Sequence, residues 1–272
     1  MAENPCARVV RTGDDGARVE GCAHGGHLTG WWPVGARESR LWMSSASGCG
    51  PGIAIRGGIP VVFPQFGALG ELPKHGFARD RAWRRLEPPR SHNASMGFAT
   101  TIESEPGWPH RAGLQMSATA RGDRLAVTLQ VTNVGAEPFM FTAALHAYLA
   151  VGSTADTVIE GLSGLAGVDA AGGGRAVTLP DGPLRAAGPQ DLMIREVPAP
   201  LTLRDPTRPD LRLQASGFRD WVVWNPGPGH ALPDVPPGDE SGFVCAEPAV
   251  LDPVPLAADQ TWAATLTMTA TA

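Results

Sequence analysis

Every second residue from Leu125 to Val131 is apolar: Leu125, Val127, Leu129 and Val131 stand between Ala126, Thr128 and Gln130, and Thr132 follows. A period of two sends alternate side chains to opposite faces of an extended chain, so this stretch specifies a strand with one face turned inward. Leu114, Met116 and Ala118 repeat the pattern just upstream, and Gly122-Asp123 interrupts the two runs as a turn does, which predicts a hairpin. Further strands are expected at residues 9–19, 27–32, 41–45, 139–145, 158–162, 201–203, 211–215, 221–224, 243–247 and 262–268. No stretch carries a sustained helical stripe, and 34 Gly and 26 Pro punctuate the chain too often for long helices. The expectation is an all-β fold, a large sandwich of mostly antiparallel strands. Residues 170–174 and 226–237 read as surface loops within one domain spanning residues 1–272.

The formal net charge of −5 lacks the basic excess of a general nucleic-acid or anionic-membrane binder, although local cationic clusters still suit a small anion. No apolar run approaches the ~18 residues that would span a bilayer, and the first twenty residues lack a secretory apolar core, so a cytoplasmic location is expected. Cys6, Cys22, Cys49 and Cys245 are scattered without paired spacing and read as reduced thiols. His24 and His27 lie three apart without a supporting acidic or thiol set, so no metal site is expected.

Residues 55–83 concentrate Gly, Pro, Arg and His. Gly57, Gly58 and Gly76 permit close backbone approach, while Arg56, Lys74 and Arg79 supply cations for a phosphate or carboxylate. Composition alone leaves this open between an anion pocket and a solvated, turn-rich loop. The run Arg56-Gly-Gly-Ile-Pro through Phe66-Gly67, followed by His75-Gly-Phe-Ala-Arg79, resembles the signature of the hexose-6-phosphate mutarotase branch of the aldose 1-epimerase family. The resemblance continues in residues 25–31, in Leu41-Trp-Met-Ser44, in residues 131–152, in residues 220–226 and in Cys245-Ala-Glu247-Pro248.

That resemblance implies a galactose-mutarotase-like β supersandwich. It implies that His146 and Glu247 are the catalytic pair and that no cofactor is needed. It places Arg56 and Arg79 at phosphate or hydroxyl positions, His75 against the sugar, and Asp191 as an acceptor for sugar hydroxyls. The chain departs from the branch at Lys74, where a neutral polar residue is usual, and in residues 161–191. Mutarotation needs a base to take the proton of the anomeric hydroxyl and an acid to protonate the ring oxygen, so that the ring opens, rotates about C1–C2 and recloses. Ordinary pKa values of about 4.3 for Glu and 6.5 for His favour Glu247 as the ionised base, and a nearby carboxylate or phosphate favours a protonated His146 as the acid.

The expected partner is thus a small hexose phosphate, with neither nucleic acid nor membrane; no protein partner is assigned, and a monomer suffices. Two other readings stay open: an epimerase of unphosphorylated aldoses, and a carbohydrate or sugar-phosphate binding module without catalysis. Trp221 and Trp224 lie in strand patterns that core packing explains as well as sugar stacking does, and Trp31, Trp32 and Trp83 are likewise open.

Overall fold

The Leu114–Val131 alternation builds the expected hairpin. Ala112–Arg121 and Arg124–Asn133 pair antiparallel with Leu114 opposite Val131, Met116 opposite Leu129 and Ala118 opposite Val127, all six buried. Gly122 turns the chain at a φ of 57°. In this computed structural model, which describes residues 4–87 and 91–271, the hairpin lies within a nine-stranded sheet. Its order is Leu184–Arg185, Val158–Glu160, Leu201–Arg204, Asp210–Ser216, Thr261–Thr271, Arg124–Asn133, Ala112–Arg121, Ala94–Ile102 and Arg84–Leu86.

An eight-stranded sheet faces it across the core. Its order is Arg175–Thr178, Ala166–Asp169, Gln190–Ile194, Asp220–Asn225, Phe243–Leu256, Phe139–Leu145 and Val61–Val62, with Tyr148–Ala150 also paired to Phe243–Leu256. A three-stranded sheet of Val9–Thr12, Arg18–Cys22 and His27–Trp32 packs alongside. All ladders between these strands are antiparallel, and among the described residues there are two short 3-10 turns and no α-helix. The main apolar cluster draws Trp31, Phe63, Leu129, Val131, Leu145, Ile194, Trp221, Val223, Val244 and Leu266 from all three sheets.

Local chemistry explains where the strands differ from expectation. Residues 9–19 form two strands, because Gly13-Asp-Asp-Gly16 makes a turn in which Asp15 Oδ1 accepts the Ala17 N–H at 3.0 Å. Residues 41–45 make only isolated bridges, Leu41 to Leu149 and Met43 to Gly57, since the neighbouring chain leaves the extended region at Gly57 and Gly58. Trp31 and Trp83 are core residues, and Trp32 lies beneath Arg18, whose guanidinium carbon is 4.8 Å from the ring.

The cysteine expectation is corrected. Cys22 and Cys245 are buried thiols, but Cys6 and Cys49 form a disulfide. His24 draws the two segments together: its backbone N–H donates to the Pro5 carbonyl at 2.8 Å, and its imidazole Nε2 bonds the Ile53 carbonyl at 2.7 Å. The bond closes a sequence separation of 43 residues, for which chain entropy gives a stabilisation of about 4 kcal/mol. Urea unfolding of a Cys6→Ser/Cys49→Ser variant should show a loss approaching that value; a loss below about 1 kcal/mol would mean that His24 alone holds the segments together.

Candidate active site

Three central strands of the eight-stranded sheet divide their side chains between two environments. Registers pair Asp191 with Trp224, Met193 with Val222, and Val222 with Glu247. These five residues point to one face and line a cavity of about 380 Å³. Their alternates, Leu192, Ile194, Trp221, Val223 and Ala246, point the other way into the main core. Trp224 is therefore a cavity wall, a position that strand pattern alone left open.

His146 enters the same cavity from a break in the sheet. Phe139–Leu145 ends one residue before it and Tyr148–Ala150 begins two residues after it, with the Ala147 N–H turned back to the Leu145 carbonyl at 2.9 Å. The His146 ring stacks on Tyr148 at 4.7 Å between centroids and 7° between planes. Its Nδ1 lies 3.2 Å from Glu247 Oε1, without the alignment of a hydrogen bond, and Glu247 Oε2 has no partner among the described residues.

Residues 56–79 arch over the sheet and complete the wall. Gly58 sits at a φ of 62° with its Cα so close to the preceding strand that a Cβ would meet the Leu28 carbonyl at 2.3 Å. His27, on that strand, bonds the Gly57 carbonyl through Nε2 at 2.8 Å, so it secures the bend. At the far end His75 has a φ of 69°, an uncommon backbone for a side-chain-bearing residue. Its amide N–H donates to the Gly67 carbonyl at 3.0 Å, and the Gly67 N–H donates to its Nδ1 at 3.2 Å. The acceptor role of Nδ1 puts the imidazole proton on Nε2.

All seven residues expected at the site, His146, Glu247, Arg56, Lys74, His75, Arg79 and Asp191, line this one cavity. Among the described residues neither Lys74 nor Arg79 has a carboxylate partner; Arg79 donates to the Lys74 carbonyl at 3.0 Å. Arg56 differs, since its Nε pairs with Asp234 at 3.0 Å and its Nη1 donates to the Tyr148 hydroxyl at 2.8 Å. Burial works against that charge, yet Tyr148 and Asp234 hold the Arg56 pKa above the ordinary arginine value. Asp234 and Leu232 come from residues 226–237, expected as a plain surface loop; the expectation had no periodicity to oppose it, because the loop reaches the site through one ion pair.

Burial also corrects the expected charge states. Desolvation, and then the neighbouring His75 and the charges of Arg56, Arg79 and Lys74, push the His146 pKa well below 6.5. Desolvation, and then Asp191, push Glu247 well above 4.5 against the pull of Arg79 and Lys74. Burial thus drives both groups toward their neutral forms. His75 is lowered to about 2 by burial and then by Arg79 and Lys74, which agrees with its fixed neutral tautomer. Asp191 is raised by burial, with Lys74 opposing.

The aldose 1-epimerase family pattern matches residues 8–170, more than half of the chain. The chain belongs to the aldose 1-epimerase family. A relative in Escherichia coli named "Putative glucose-6-phosphate 1-epimerase" is 32% identical over 246 residues, covering 83% of this chain and 77% of its own. One of the same name in Cenchrus ciliaris is 28% identical over 97% of this chain and 84% of its own. The crystal structure of a "putative mutarotase" from Salmonella typhimurium superposes with a TM-score of 0.83 at 26% identity, over 94% of this chain and 88% of that one. A galactose mutarotase-like protein from Lactobacillus casei shares the fold at a TM-score of 0.76 and 17% identity, over 97% and 99% of the two chains. This aldose 1-epimerase family member thus has the expected galactose-mutarotase-like supersandwich.

The buried imidazoles make its stability pH-dependent. His27 is lowered to about 4 by burial, and with His75 and His146 it stays unprotonated in the folded chain below pH ~6.5, where the unfolded chain takes up protons. Stability should fall on acidification, by roughly 2 kcal/mol per histidine between pH 7 and pH 5. Glu247 acts with the opposite sign, because the folded chain keeps a proton that the unfolded chain releases above about pH 4.5, so it offsets part of this loss. Urea midpoints should drop from pH 7 to pH 5 and drop less in a His27→Gln variant; a midpoint that rises toward pH 5 would contradict this charge assignment.

Proposed function

We propose that this protein interconverts the α and β anomers of a hexose 6-phosphate, with glucose 6-phosphate the expected substrate, through His146 and Glu247. The observation that carries the reading is the arrangement of one cavity: a buried acid–base pair 3.2 Å apart shares it with two cations, Lys74 and Arg79, that have no carboxylate partner among the described residues. The names of the relatives point to the same substrate.

In this reading residues 1–272 act as one domain. Arg79, Lys74 and Arg56 take the phosphate, His75 donates its Nε2–H to a sugar oxygen, Asp191 accepts from hydroxyls, and Trp224 and Phe66 flank the ring. Burial first and the cations second hold His146 deprotonated; a phosphate dianion offsets the cations, so the substrate itself raises the proton affinity of the imidazole. The Glu247 proton passes to His146, and the resulting carboxylate takes the proton of the anomeric hydroxyl while the imidazolium protonates the ring oxygen. The C1–O5 bond breaks, the aldehyde turns about C1–C2, and the reverse transfers close the ring on the other face. Each group ends in the state in which it started, so no external oxidant or reductant enters. A charged sugar does not cross membranes unaided, so we place the protein in the cytoplasm with its substrate, where reducing thiols would test the Cys6–Cys49 bond.

Magnetisation-exchange NMR of the glucose 6-phosphate anomers should show acceleration that falls by roughly 10² to 10⁴ in Glu247→Gln and in His146→Gln. The pH profile should stay high below the ordinary histidine range, since the acid limb reports a depressed His146. Arg79→Met should weaken use of the phosphosugar far more than use of glucose. Equal acceleration of glucose would instead identify an epimerase of unphosphorylated aldoses, and binding without exchange would identify a silent module.

A further inference from the structure

A second cavity, of about 460 Å³, shares no lining residue with the first. It forms where residues 33–40 meet the turn at Asp123, the turn at Arg208–Pro209 and the end of Thr261–Thr271. Arg40 lines it, yet its side chain is almost wholly buried, at 4% residue exposure. Its Nε and Nη2 have no hydrogen-bond partner among the described residues. A buried guanidinium without a partner is a costly feature for a fold to retain.

The nearby carboxylates are engaged elsewhere. Asp205 accepts from the Gly152 N–H at 2.7 Å and from the Thr207 N–H and hydroxyl at 2.9 and 2.7 Å, and it lies 3.7 Å from Arg208. Glu38 pairs with Arg208 at 2.6 Å, and Asp210 pairs with Arg204. Asp123 lines the cavity but makes no ion pair with Arg40 among the described residues. Burial, and then the like charge of Arg208, lower the Arg40 pKa to about 10, which still leaves it cationic at neutral pH.

We propose that this cavity is a second anion site, separate from the sugar pocket, whose ligand is a small organic phosphate or carboxylate bound at Arg40 with Arg37 and Arg208 at its rim. The volume lies within the range of small-molecule sites, roughly 300 to 1,000 Å³, and exceeds what a bare phosphate needs. Pro33, Val34, Pro209 and Ala270 give it an apolar wall for a carbon skeleton. The Arg40 backbone ties the site to the catalytic pair: the Ala150 N–H donates to the Arg40 carbonyl and the Trp42 N–H to the Tyr148 carbonyl, each at 3.0 Å, on the strand whose Tyr148 stacks on His146.

Inorganic phosphate is the probe, read by thermal unfolding at constant ionic strength in a Lys74→Met/Arg79→Met background that disables the sugar pocket. Phosphate should raise the midpoint in that background by mass action, and adding Arg40→Met should abolish the rise. Arg208→Gln, a partly exposed position, should shift the phosphate response to concentrations roughly tenfold higher, the equivalent of one charged contact. No rise in the background, or the same rise without Arg40, overturns the proposal. Should Arg40→Met not fold, an unchanged response in Arg208→Gln overturns it equally. The readout uses no sugar, so it stands or falls apart from the proposed epimerase activity.

Discussion

A β-strand can give only alternate side chains to a given face, and the cavity is built on that restriction. Along Gln190–Ile194, Asp220–Asn225 and the first half of Phe243–Leu256, one set of alternates joins the main core and the other set forms the cavity floor. The apolar set anchors the strands against the nine-stranded sheet, and the ladder registers then fix where Asp191, Trp224 and Glu247 lie relative to one another. The floor is positioned by packing on its far side, which makes the placement of its polar groups a consequence of core formation.

The same burial sets the electrostatics. Both members of the His146–Glu247 pair are desolvated and drawn to their neutral forms, while the charges that remain toward the cavity mouth are mostly positive. In the proposed function a phosphorylated sugar suits this rim better than a plain one, since its dianion offsets the charges that add to burial in keeping a proton off the imidazole.

Much of this was legible in the sequence, and unevenly so. Strands whose alternation is carried by Leu, Val and Ile, such as Arg124–Asn133, could be read directly. Ala94–Ile102 escaped because Ala94 and Gly97 blunt the contrast between its faces, and Ala166–Asp169 and Arg175–Thr178 escaped because an edge with little burial leaves no apolar period to read. The seven residues expected at the site came from motif resemblance, and they share one cavity. Asp234 and the Cys6–Cys49 bond were missed because each depends on contacts between segments far apart in the chain, and the effect of burial on the charge states has no local signature.

Arg56 is held on two sides before any ligand arrives, by Asp234 and by the Tyr148 hydroxyl. Freezing a long, rotamer-rich side chain on association typically costs about 0.5–1.5 kcal/mol, and here that ordering belongs to folding. The same clamp nearly cancels the net charge of Arg56. In the proposed function direction and attraction are thus divided between residues: Arg56 presents an aligned hydrogen-bond donor of little net charge, and Lys74 and Arg79 supply the pull that brings an anion to it.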